Sequence, residues 1–175
     1  KEIKDTIAFL RMITHGDDLA LRRSIGSAPR GIGNKTLEDT WAQAQATHQT
    51  MYEVMHQQVV HKTAGARIRT YVELIEKLKT MAPRVSIAKL IDTILEDGGL
   101  KDHYLKKGEE DRIDTVKELQ VDAMRFEETS GDETLHEFIQ MVSLYGEKAE
   151  VSQDAHVKLM TIHAAKGLEF NNVFV

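Results

Sequence analysis

Apolar side chains recur along most of this chain at the spacing of a helix face, and only near the C-terminus does the period change to that of a strand. Ile3, Ile7, Leu10 and Ile13 share one stripe and predict an opening helix that Gly16-Asp17-Asp18 ends. Leu19, Leu21 and Ile25 predict a short helix before a loop over Gly26–Gly33. A helix from about Asn34 through the fifties follows, with Leu37, Trp41 and Ala44 on one face. Ile68, Tyr71, Val72, Ile75 and Leu78 repeat at i, i+3, i+4 and i+7, and Pro83 stops that helix. Ser86 is placed to cap a helix over Ile87–Glu96, with a stripe of Ile87, Leu90, Ile91, Ile94 and Leu95, closed by Gly98-Gly99. A charged helix over Glu109–Glu128 turns Ile113, Val116, Ala123 and Phe126 inward. Leu135, Phe138, Ile139, Val142 and Tyr145 mark a last helix, capped by Asp132 or Thr134 and ended by Gly146. Trp41 and Phe126 read as core residues, not as stacking platforms.

Two short apolar runs, Val157–Thr161 and Val173–Val175, then read as strands. A polar elbow carrying His163, Lys166, Gly167 and Glu169 joins them. The expected fold is therefore mainly α: six or seven helices, then a strand-loop-strand remnant of an α/β sheet. Because the chain stops inside that sheet, it reads as a fragment of a larger protein.

Composition narrows this little. With 175 residues and 41% hydrophobic content, one well-buried core is feasible. The absence of cysteine removes disulfides and thiolate metal sites. No apolar run reaches membrane-spanning length and no secretory leader pattern occurs, so a cytoplasmic location away from membranes is the expectation. The histidines show no metal-ligand spacing with nearby carboxylates.

Charge is more informative in its placement than in its sum. A net charge of −5 argues against a uniformly basic nucleic-acid binder. Yet from Ala20 to Thr36 the chain holds Arg22, Arg23, Arg30 and Lys35 and no acid, whereas Glu109–Glu133 is rich in Glu and Asp. If DNA binds, it binds on a local patch.

The centre of that patch is Pro29-Arg30-Gly31-Ile32-Gly33-Asn34-Lys35. Glycines flanking one apolar residue permit a tight hairpin, with Ile32 turned to the core and the amides of the next helix start free to meet a phosphate. Arg30 and Lys35 add charge. This is the physics of a helix-hairpin-helix element, which reads the DNA backbone and not the bases. Gly33-Asn34-Lys35-Thr36 is no P-loop, because Asn34 separates glycine from lysine and no buried strand precedes it.

One stretch carries a family resemblance. Thr161-Ile162-His163-Ala164-Ala165-Lys166-Gly167-Leu168-Glu169-Phe170 resembles the fifth conserved motif of the UvrD/Rep/PcrA family of superfamily 1 DNA helicases, which move 3′ to 5′. The opening Lys1–Arg11 is similar to the helix that leaves the second motor subdomain (2A) of that family, and Pro29–Gly33 resembles an element of its accessory subdomain (2B). The resemblance thus implies a 2A stub at 1–15, a helical 2B-like subdomain at 16–154, and a second 2A stub at 155–175. It further implies that Thr161 and His163 touch the backbone of single-stranded DNA, and that Gly167 and Glu169 face the nucleotide. Duplex contact would fall to Arg30, Gly31, Ile32, Gly33 and Lys35. ATP and Mg2+ would serve the intact parent. With the Walker and arginine-finger motifs outside this chain, no cofactor and no ATP hydrolysis are expected of the fragment alone. Repair or replication proteins would be further partners. The rival reading is a protein-interaction or autoinhibitory helical module whose DNA contact is incidental.

Overall fold

The structure is a computed structural model that describes residues 1–130 and 134–149, the side chains of 130 and 144–149 excepted. Its described part is helical: α1 Glu2–Thr14, α2 Asp18–Gly26, α3 Asn34–Thr47, α4 Met51–Val60, α5 Ala66–Met81, α6 Ile87–Asp97, α7 Leu100–Lys107, α8 Glu110–Ser130 and α9 Leu135–Ala149. Pro83 sits in a 3-10 turn over Ala82–Arg84 that ends α5, as its missing N–H requires.

The core is built around α1, whose Phe9, Leu10 and Met12 are fully buried. It packs against α2, α5, α6, α8 and α9, so the segment assigned to a motor stub shares one core with the helices after it. The α6 stripe of Leu90, Ile91, Ile94 and Leu95 is buried, largely against α8. Each such side chain contributes about 1.5–3 kcal/mol by leaving water. Phe126 and Phe138, with ring centroids 5.4 Å apart, join α8 to α9. The expected inward residues Ile113, Val116, Ala123 and Phe126 are all buried.

Four expectations need correction. The single helix from Asn34 through the fifties is two, because His48 turns left-handed at φ 54 and ends α3. Thr50 then caps α4: its hydroxyl accepts from the Glu53 amide at 3.2 Å, while Glu53 accepts from the Thr50 amide at 2.7 Å. Trp41 is 47% exposed, since Leu37, Thr40 and Ala44 take the buried stripe of α3. α7 was not anticipated; it hangs on Leu100 and Tyr104 between the left-handed Gly99 and Gly108, too short for periodicity to register. Gly146 does not end the last helix, which runs to Ala149.

Ser86 does cap α6, accepting from the Lys89 amide at 3.1 Å. Thr134 stands at the start of α9, its hydroxyl donating to the Glu137 carboxylate at 3.0 Å, whereas Asp132 lies outside the described residues. No strand occurs among the described residues. The runs Val157–Thr161 and Val173–Val175 and the loop between them lie outside these. Among the described residues no helix is long and apolar enough to cross a membrane.

Candidate nucleic-acid interface

The turn between α2 and α3 is held from beneath. Ser24, buried near the end of α2, shares a 2.7 Å hydrogen bond with the hydroxyl of Tyr71 on α5. The Ser27 hydroxyl donates back to the Ser24 carbonyl at 2.7 Å. Arg30 donates through Nε to the same carbonyl at 3.2 Å and through Nη2 to the Gly98 carbonyl at 2.5 Å. Its guanidinium carbon lies 5.1 Å from the centre of the Phe9 ring and 5.9 Å from that of Tyr71.

Burial lowers the pKa of Arg30, and the neighbouring Tyr71 partly offsets this. Burial also pushes Tyr71 up to about 12, against the opposing effects of its Ser24 hydrogen bond and of Arg30. A partly buried cation with its fork on two carbonyls is an anchor for the loop. Expected as a phosphate ligand, Arg30 instead turns inward, because these carbonyls and ring faces replace the water it gives up.

Above that anchor the turn is open. Gly31 adopts φ +67, a left-handed conformation that glycine takes without strain. Ile32 is half-buried and packs on the core, which matches its reading as a plug and leaves it little surface for a ligand. Gly33 occupies the N-cap of α3 at φ −84, ψ 168, with no side chain capping the helix and no acid in its first turn. A Cβ added at Gly33 would meet nothing within 4 Å. Among the described residues no side chain accepts from the first amides of α3, which stand at the positive end of the helix dipole. Lys35 is exposed and holds no ion pair among the described residues.

Of the remaining basic residues, Arg23 is paired with the buried Asp5 at 2.9 Å, while Arg22 is exposed. The acid-free segment thus divides into Arg30, turned inward, Arg23, exposed but held by Asp5, and the outward charges Arg22 and Lys35. The structure adds one residue that the sequence reading missed. Arg67, near the start of α5, donates through Nη1 to the Gly31 carbonyl at 3.0 Å. A signal for it existed, since residues 54–72 form a second acid-free stretch, holding Lys62, Arg67 and Arg69. Nothing in the spacing ties that stretch to Gly31. The other candidates, Thr161, His163, Lys166, Gly167 and Glu169, lie outside the described residues.

Comparison with known proteins completes the picture. The family model of the UvrD-like helicase C-terminal domain matches residues 1–175. The chain is 33% identical over 188 residues to a DNA helicase II of Salmonella typhimurium, covering all of this chain and 26% of that protein. A DNA helicase II of Escherichia coli is 32% identical with the same coverage. An ATP-dependent DNA helicase PcrA of Bacillus subtilis is 30% identical over 192 residues, again over 100% of this chain and 26% of its own length. The chain spans about a quarter of the length of these relatives.

Proposed function

The chain belongs to the UvrD-like helicase C-terminal domain family, and from that membership we propose that it is the accessory-subdomain portion of an ATP-dependent 3′-to-5′ DNA helicase. Its own task is to hold the backbone of duplex DNA at the α2–α3 turn. The observation that carries this is the pairing of an uncapped, acid-free start of α3 at Gly33 with Lys35 beside it, which has no ion pair among the described residues. Exposed amides and one mobile ammonium group suit a phosphodiester and offer nothing that would select a base.

We place α1 with the helical subdomain, since Phe9, Leu10 and Met12 are buried in the same core as α5 and α6. The boundary with the motor would then precede α1 and not follow residue 15. In the intact parent, ATP and Mg2+ would supply the driving reaction. Thr161 and His163 would meet the single strand, and Gly167 and Glu169 the nucleotide. His163→Ala or Glu169→Ala should then lower DNA-stimulated ATP hydrolysis of the parent while leaving duplex binding by this chain unchanged. Undiminished turnover would make that loop a mere connection.

Fluorescence anisotropy with a labelled duplex tests the binding proposal. Affinity should be weak, independent of sequence, and should fall with salt at a slope of roughly −2 to −3, about 0.9 per neutralised phosphate. Lys35→Glu should abolish it. Strong preference for one sequence, or binding indifferent to salt, would refute backbone reading. The alternative of a protein-interaction module draws support from Trp41, 47% exposed on α3. Under that reading Trp41→Ser would abolish partner binding, and Lys35→Glu would not.

A further inference from the structure

The chain has two acid-free basic stretches, residues 20–36 and 54–72, and the fold brings them into contact at Gly31. The contact is close. A Cβ on Gly31 would lie 2.7 Å from Nε, 2.8 Å from Cζ and 2.9 Å from Cδ of Arg67, so the arginine lies flat across the glycine. One guanidinium nitrogen holds the Gly31 carbonyl at 3.0 Å. The rest of the fork has no partner among the described residues, and the side chain is exposed. Asp97, the carboxylate lining the same small hollow beside Arg67, is paired with Lys77 at 2.8 Å. An arginine presents five N–H donors in a rigid plane suited to a phosphate, and here one is fixed by the protein itself.

We propose that Arg67 is a phosphate-binding residue of the duplex interface, locked onto the Gly31 carbonyl and offering the remainder of its fork to a DNA backbone phosphate beside the start of α3. The interface then has two separate parts, the α2–α3 turn and the beginning of α5. The locking contact removes much of the rotamer freedom that an exposed arginine would otherwise lose on binding. It also gives Gly31 a second role, since that position must both turn left-handed and leave room for the arginine stem. This inference rests on the proposed duplex binding at Gly33 and Lys35.

The test measures duplex affinity and its salt slope for the 175-residue chain and for Arg67→Gln, Arg67→Lys, Gly31→Ala and Lys35→Ala. Glutamine can still donate to the Gly31 carbonyl but carries no charge. Arg67→Gln should weaken binding about tenfold, as expected for one lost charged hydrogen bond, and make the salt slope shallower by about 0.9. Arg67→Lys should restore the slope but only part of the affinity, because lysine lacks the fork. Gly31→Ala should push the arginine aside and weaken binding without removing any charge.

If Arg67→Gln loses affinity with an unchanged salt slope, the residue only shapes the turn and the phosphate contact is overturned. If Arg67→Gln binds as the parent chain does while Lys35→Ala is weakened, the inference fails and the duplex-binding reading stands. If neither variant is weakened, both fail together.

Discussion

Gly31 and Gly98 make two tight turns that look alike in sequence and are built for opposite ends. Gly31 has φ +67, and the obstacle facing a new Cβ there is the far end of the flexible Arg67 side chain. Gly98 has an ordinary φ of −67, but a Cβ there would meet the Ile94 carbonyl oxygen at 2.1 Å, which is rigid backbone. Arg30 links the two turns, leaving the first to donate to the Gly98 carbonyl. One glycine thus keeps an open surface beside the exposed Arg67. The other secures the underside of that surface to the core. The difference teaches that a basic residue in a functional segment has to be judged by where its donors go. Arg30 and Lys35 are five positions apart, yet Arg30 holds two carbonyls and Lys35 has no partner among the described residues.

The largest effect expected from breaking this link is at Arg30. Arg30→Ala leaves the Ser24 and Gly98 carbonyls without their donor and opens the space beside Phe9 and Tyr71. Stability should fall by about 3 kcal/mol. Arg30→Lys should recover little, because one ammonium cannot serve both carbonyls from the same plane. Urea titration followed by circular dichroism measures both variants. A stable, fully folded Arg30→Ala chain that had merely lost duplex affinity would return Arg30 to the ligand surface.

Next in size is Gly98→Ala. The new methyl must displace backbone, so α6 and its cap have to shift, at about 2 kcal/mol. Because the Gly98 carbonyl also receives Arg30, 68 positions away in sequence, the same substitution should loosen the α2–α3 turn. Amide exchange at residues 28–33 should accelerate in that variant. If exchange rises only around α6, the two turns are not mechanically joined.

Much of this architecture was legible in the sequence, and the exceptions have physical causes. Long stripes such as Ile87–Leu95 and Ile68–Leu78 declare themselves, since each repeats over several turns and ends in a breaker. The division of α3 from α4 was written in Thr50-Met51-Tyr52-Glu53, a capping box. α7 escaped because two buried residues over eight set no period. The Gly31–Gly33 turn could be found from its glycines and its acid-free flanks. The inward direction of Arg30 and the arrival of Arg67 could not, as both depend on which helices the fold brings alongside.

The capped start of α4 gives a smaller and more local effect. Thr50→Ala should cost about 1 kcal/mol, or roughly 2–4 °C in Tm, by removing the hydroxyl that holds the Glu53 amide. Hydrogen bonds from the Thr50 amide and then its hydroxyl hold the Glu53 carboxyl below the usual carboxylate range. A depressed folded pKa stabilises the chain above the unfolded value and is lost as pH falls through the folded value. The parent chain should therefore lose more stability than Thr50→Ala between neutral and acidic pH. Parallel pH profiles for the two would show that the box does not form in solution.

The smallest change in stability should accompany the sharpest change in function, at the uncapped start of α3. Gly33 already has the extended N-cap backbone that serine adopts, and the space around its Cβ position is empty. Gly33→Ser should consequently stabilise the chain, though only by a few tenths of a kcal/mol, because its hydroxyl would accept from an amide that the parent leaves open. The same hydroxyl would compete with a phosphate for that amide, so duplex affinity should drop even though no positive charge has been lost. Gly33→Asp should cap equally well and bind DNA less again, since its carboxylate would both occupy the amides and repel the backbone. Thermal melting and duplex titration of the pair separate the two effects. A natural helix start left at glycine when a better cap fits is explained if its amides are needed by a ligand. If both variants melt higher and bind duplex as the parent does, those amides meet only water, and the α2–α3 turn is a connection like the others.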